Sequence, residues 1–226
     1  MKNPAARLQI DALATDLDGT LTSGGQPLKP GLVHAMKWIR ANGVKLILVT
    51  GRCSVEAIGI TGEGLFDAIV AENGAVLTTG STRRLQMPDG WIDERSRLLP
   101  QFEKGCEEVI ISSSIENLPL AQRLVSRLAR IQVNRDRLMI VPPGVDKGSG
   151  LASILKMLNL SSQRTACVGD GENDVPMFEV SGFKVALANS IDELKQRADY
   201  VADSSDGEGT MEAIRDLFQG SADPTL

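Results

Sequence analysis

Two acidic clusters carry the chemistry open to this sequence. Asp16-Leu17-Asp18-Gly19-Thr20 follows one short apolar run, and Gly169-Asp170-Gly171-Glu172-Asn173-Asp174 follows another. Residues i and i+2 of an extended chain share a side, so Asp16 and Asp18 are expected to crowd their carboxylates together. Like charges disfavour joint ionisation, so such a pair in a partly buried site shares a proton or takes up a cation. His34 is the lone histidine and offers no partner for a zinc site, so oxygen ligands and a hard ion such as Mg²⁺ fit best. Asp170 and Asp174 lie four apart across a loop-to-helix junction and can face the same mouth of a sheet. Plainer accounts exist. The first cluster could be an Asp-rich turn closing a strand. The second could be a helix cap with acidic first-turn residues, an account that weighs most on Asn173.

Two further features point the same way. Thr50-Gly51-Arg52 ends an apolar run, where a hydroxyl and backbone N–H groups at a helix start make a phosphate cradle. A simple turn would look the same. Lys147, in Asp146-Lys147-Gly148, opens a helix whose dipole disfavours a cation there, which hints at another task; an ordinary surface lysine is the alternative.

The elements that must position these residues follow from periodicity. Residues 10–15 (IDALAT), 44–49 (VKLILV) and 68–71 read as buried strands, with helices over 30–41 and 54–61 between them. The order β-α-β-α-β implies a parallel sheet. The same grammar returns with helices at 148–158 and 173–180, strands at 165–168 and 183–187, and helices at 191–197 and 209–218. Between the halves the texture changes. Helices near 92–104 and 119–129 and strands at 108–112, 131–134 and 138–141 read as a small inserted α+β unit. The expected fold is therefore α/β, a Rossmann-like doubly wound parallel sheet over 1–83 and 146–226, with an α+β cap over 84–145. Residues 220–226 read as a frayed end.

Composition excludes several classes. A formal net charge of −5 and a pI near 5.0 argue against a nucleic-acid backbone binder, and 4% aromatic residues leave little for base stacking. No apolar run approaches the ~20 residues of a membrane span, and residues 1–9 lack a signal-peptide core. A dinucleotide-binding domain would want GxGxxG after the first strand, where DxDGT stands instead. Cys53, Cys106 and Cys167 are odd in number and without a CxxC pair, and read as reduced structural thiols of a cytoplasmic protein.

Taken together and in order, these motifs resemble the haloacid dehalogenase superfamily: DLDGT at 16–20, Thr50, Lys147 and GDGEND at 169–174. An insert between the second and third motifs has the position of the family's C2-type cap, and Glu72-Asn73-Gly74 resembles a sequence of its Cof-like branch. The resemblance implies a phosphatase with Asp16 as nucleophile and Asp18 as acid and then base. Mg²⁺ would be held by Asp16, the backbone carbonyl of Asp18 and Asp170, with Asp174 a further ligand or an orienter. Lys147, Thr50, Gly51, Arg52 and Asn173 would hold the transferring group. The short cap resembles that of archaeal-type phosphoglycolate phosphatases, which implies a small phosphorylated metabolite, 2-phosphoglycolate first. A Cof-like sugar phosphatase, a phosphomutase or a catalytically dead binding module are the rivals. A dehalogenase is disfavoured by the second aspartate, Asp18. The cap cations Arg135 and Arg137 could meet a substrate carboxylate, though a solvated strand edge is the simpler account of them. A monomer or a homodimer fits equally.

Overall fold

The computed structural model describes residues 9–218; the expected frayed end at 220–226 lies outside them. In chain order the first half runs β1 (Ala12–Thr15), α1 (Pro30–Ala41), β2 (Lys45–Val49), α2 (Ser54–Thr61), β3 (Ala68–Ala71), β4 (Val76–Thr79) and β5 (Thr82–Leu85). The insert comprises α3 (Trp91–Leu98), β6 (Ile111–Ser114), α4 (Leu118–Leu124), β7 (Arg130–Asn134) and β8 (Arg137–Val141). The chain then continues through α5 (Lys147–Met157), β9 (Thr165–Gly169), α6 (Val175–Val180), β10 (Phe183–Ala186), α7 (Asp192–Arg197), β11 (Tyr200–Val201) and α8 (Asp206–Phe218).

One eight-stranded sheet has the order β11-β10-β9-β1-β2-β3-β4-β5. The run from β11 to β3 is parallel. The β4–β5 hairpin, which sequence periodicity missed, extends it antiparallel. β5 is polar and exposed at the sheet's edge, and β4 offers only the two buried apolar residues Val76 and Leu77, too short a run to announce a strand. The expected boundary at 83/84 falls within β5.

Alternation along the central strands builds two cores. Leu13, Leu46, Leu48 and Val168 pack with Met36 and Ile39 of α1 and Ile214 of α8. On the other face Ala12, Ala14, Ile47 and Val49 pack with Leu151 and Ile154 of α5 and Phe178 of α6. A third core under the sheet order β6-β8-β7 gathers Trp91, Leu98, Ile110, Leu138 and Ile140, and takes in Ala71 and Val76 of the large sheet.

Within the insert three elements depart from expectation, two because side chains capture backbone groups and one because of a proline. Residues 108–110, expected to open a strand, instead give their N–H groups to the Glu72 carboxylate at 2.9, 2.7 and 3.1 Å, so β6 starts only at Ile111. Helix α4 ends at Leu124 and not near 129. Arg97 takes the Leu124 carbonyl at 2.7 Å, and Glu94 accepts from the Ser126 N–H at 3.2 Å. Helix α3 gives way after Leu98 to one tight turn containing Pro100, which lacks an N–H.

The cysteines require a correction. Cys53, at the start of α2, and Cys106, in the insert, form a disulfide with Cα atoms 6.1 Å apart; Cys167 alone is free, buried in β9. A separation of 53 residues concealed the pair, because only the fold-back of the insert brings residue 106 to the α2 terminus.

Candidate active site

Parallel register sets the site. Thr15 of β1 lies opposite Leu48 of β2 and Val168 of β9, so the residues that follow these strands emerge at one edge. Asp16 donates its N–H to the Val168 carbonyl at 3.0 Å, and Thr50 donates to the Val70 carbonyl at 2.8 Å. Open α/β sheets place ligands at this carboxyl edge.

Lys147 is the hub. Its Nζ lies 2.7 Å from Asp16 Oδ1 and 2.6 Å from Asp174 Oδ1, and all three side chains are buried. The helix it opens is secured without it. Asp146 Oδ1 accepts from the Ser149 N–H at 2.8 Å, and the Ser149 hydroxyl accepts from the Asp146 N–H at 3.0 Å. Asp174 is fixed by its own loop, since its Oδ2 accepts from the N–H groups of Asp170 and Gly171 at 2.9 and 3.0 Å. Asp174, not Asn173, therefore ties up the start of this turn.

Carboxylate oxygens of Asp16, Asp170 and Asp174 can lie within 4.8 Å of one another. Burial pushes the Asp16 carboxyl well above the usual carboxylate range; Asp174 adds to this, Lys147 pulls against it and Asp170 pushes further. Asp170 is pushed up to about 6 by burial and Asp174, against Arg135 and a hydrogen bond from Thr20. Burial alone would lower the Lys147 ammonium, but Asp16 and Asp174 outweigh it, so the lysine stays charged. Three buried carboxylates face one buried ammonium, and even with the Arg135 guanidinium on Asp170 one negative charge is left to be balanced. An all-oxygen donor set with that charge deficit fits a hard divalent cation such as Mg²⁺.

Asp18 turns elsewhere than expected. Arg52 grips its carboxylate bidentately, Nε to Oδ2 at 2.6 Å and Nη2 to Oδ1 at 2.8 Å, and the Asp18 side chain stays 40% exposed. The like charges weighing on Asp16 are Asp174 and Asp170. Thr50 is buried, and its Oγ1 accepts from the Arg52 N–H at 3.2 Å. Gly51 lines the cleft beside Asn173, whose Nδ2 donates to Asn73 Oδ1 at 3.0 Å.

Several participants had no role assigned from the sequence, although Gly19 and Thr20 lie in DLDGT and Asn73 in Glu72-Asn73-Gly74. Thr20 donates to Asp170 Oδ1 at 3.0 Å, and Asn189 donates to the Gly19 carbonyl at 2.8 Å. Gly19 has φ +76°, and a Cβ there would run into the Asp170 carboxylate, so the DxDGT turn demands glycine. Asn73 bridges to the insert, donating to Gln132 Oε1 at 2.7 Å. Glu72 and Asn73 both have positive φ, 52° and 54°. In the sequence, Asn189 looks like any polar loop residue.

A family model of haloacid dehalogenase-like hydrolases matches residues 13–87 and 109–214. The chain belongs to this family. Among its relatives is a phosphoglycolate phosphatase of Methanothrix thermoacetophila, 32% identical over 91% of this chain and 96% of the relative. A solved protein of Thermoplasma acidophilum superposes with a TM-score of 0.79 at 21% identity, over 92% of this chain and 98% of that one. A sugar phosphatase of subclass IIB of the superfamily gives 0.74 at 18% identity, over 92% and 99%. At such identities the two structures speak for the fold. Family and relatives together make this haloacid dehalogenase-like hydrolase a phosphatase.

Proposed function

We propose that the enzyme hydrolyses 2-phosphoglycolate to glycolate and phosphate through an aspartyl-phosphate on Asp16. The observation that carries the mechanism is Lys147 Nζ bridging Asp16 and Asp174 beside Asp170 in a buried, negatively overcharged site. An Asp16 oxygen attacks phosphorus as the bond to the ester oxygen breaks, and Asp18 gives its proton to the departing alkoxide. Asp18 then takes a proton from water as that water attacks phosphorus, and the bond to Asp16 breaks to release phosphate. Lys147 offsets charge on the phosphoryl oxygens, while Thr50 and backbone N–H groups position them. Asp16, the Asp18 carbonyl and Asp170 would hold Mg²⁺, with Asp174 as ligand or orienter, and the bound ion would supply further charge neutralisation. Residues 84–145 act as the cap.

The substrate rests on the relatives named phosphoglycolate phosphatase. A sugar phosphatase is the second reading, favoured by the subclass IIB neighbour and by a cleft of about 570 Å³. No helix of the described residues is long and apolar enough to cross a membrane. Under the cytoplasmic placement expected from composition, the Cys53–Cys106 bridge would respond to the thiol pool.

Asp16→Asn is expected to lower phosphate release from p-nitrophenyl phosphate by roughly 10⁴-fold or more while circular dichroism stays native. Full activity in that variant, or activity undiminished by EDTA, removes the mechanism. Phosphate release across 2-phosphoglycolate and hexose phosphates decides the substrate.

A further inference from the structure

The insert sends one cation into the reaction centre. Arg135 sits at the tip of the β7–β8 hairpin with φ 54°, a left-handed conformation that a non-glycine residue adopts at a cost. From there its Nη2 forms an ion pair with Asp170 Oδ2. Among the described residues it is the insert's arginine whose ion pair reaches a carboxylate of the large sheet's acidic cluster. The approach is close. Asn134 Oδ1, beside it, packs where a Cβ on Gly171 would stand, and that oxygen has no hydrogen-bond partner. Arg52 and Arg137 also line the cleft, and Arg52 is committed to Asp18 and Glu56. A solvated strand edge therefore does not describe Arg135, although its side chain is 51% exposed.

Asp170 has a competing use. It lies in the acidic trio that fits a divalent cation, and its other oxygen is held by Thr20. A cation and a guanidinium compete for the same carboxylate. We propose that Arg135 has two partners in turn. It rests on Asp170 while the cation is absent. Once Asp170 serves the cation, Arg135 reads a carboxylate on the substrate. Because the guanidinium reaches into the cluster that contains Asp16, the group it reads lies only a few bonds from phosphorus. That selects short phosphorylated hydroxy acids over hexose phosphates. This inference rests on the phosphoglycolate reading and adds the residue that enforces it.

Steady-state kinetics with Mg²⁺ on 2-phosphoglycolate and on 2-hydroxyethyl phosphate, which has a neutral hydroxyl in place of the carboxylate, test it. In the wild-type enzyme the kcat/KM ratio favours the acid. In Arg135→Gln that ratio falls by about 10- to 100-fold, mainly through KM, as expected for losing hydrogen bonds to a charged group. Arg135→Lys restores part of it. A ratio unchanged in Arg135→Gln, with the wild type still preferring the acid, overturns the assignment of Arg135 alone. A wild-type ratio near one overturns the phosphoglycolate reading together with it. Calorimetric titration of Mg²⁺ without substrate gives an independent readout. Arg135→Gln binds Mg²⁺ several-fold tighter, and equal or weaker binding overturns the exchange between partners.

Discussion

The two walls of the cleft are built on opposite principles. On the side of the large sheet, Asp16, Lys147, Asp170 and Asp174 are buried and held by strand ends and their own loop N–H groups. On the insert's side, Arg135 is half-exposed on a hairpin tip, and the segment behind it is secured by what Glu72 and a disulfide reach across to hold. Buried charges must be mutually satisfied whatever the substrate, so that wall is fixed by electrostatics. The exposed wall can vary its side chains at little cost to the fold, which suits it to the selectivity proposed for Arg135.

Removing a cation from each wall gives the sharpest contrast. Lys147→Met leaves Asp16 and Asp174 without their buried partner. The expected cost is about 3–5 kcal/mol of metal-free stability, with roughly a 10²–10³-fold fall in kcat. Arg135→Gln removes a pair whose arginine is half-exposed while the buried Asp170 keeps its hydrogen bond from Thr20, and is expected to cost about 1 kcal/mol. Denaturant melts of both variants check this. Similar costs for the two would erase the distinction between the walls.

Smaller in effect is the link between the walls. The Cys53–Cys106 bridge joins the start of α2 to the insert, next to residues 108–110 that Glu72 clasps. Cys106→Ser, or reduction with a dithiol, is expected to lower stability by about 2–4 kcal/mol. Amide exchange should speed up more within 91–141 than in the central strands of the large sheet. Identical melting under oxidising and reducing conditions would show that the bridge adds nothing to the Glu72 clasp, the Asn73–Gln132 hydrogen bond and the shared core.

These contrasts also explain what the sequence disclosed. The central strands were readable because buried parallel strands are continuous apolar runs, and Asp16, Thr50 and Asp170 could be expected at one edge because they follow such runs directly, whereas Lys147 was singled out only by its place at a helix start. The orientation of Asp18 was not, since pairing with Arg52 is decided across 34 residues of chain. In the insert, element ends were misplaced wherever a side chain took a backbone group, as Glu72 does at 108–110 and Glu94 at Ser126. Such captures leave no periodic trace. The disulfide is the same kind of event, a contact between distant residues whose spacing carries no signal.

The least disruptive test is pH, because the walls titrate with opposite signs. Asp170 is pushed up to about 6 by burial and Asp174, and Asp16 is raised as well, so the folded metal-free protein binds more protons than the unfolded chain above the ordinary aspartate value of 3.8. The Asp170 contribution is therefore present at low pH and is lost as pH rises from near 4 through about 6, and Asp16 acts in the same direction. Glu94, in the insert, is held down at about 2 by Arg97 and by Ser126, in spite of its burial. Its contribution is complete above its ordinary value of 4.5 and is lost as pH falls toward 2. Under the proposed mechanism Mg²⁺ would bind the ionised trio, so it would stabilise by mass action only where those carboxylates have lost their protons. Calorimetry at pH 5 and pH 8 should show a Mg²⁺-induced rise in Tm of a few degrees at pH 8 and a smaller one at pH 5. An equal rise at both would mean that the raised carboxylates are not the ones the cation meets, and the electrostatic account of the buried wall would fail there.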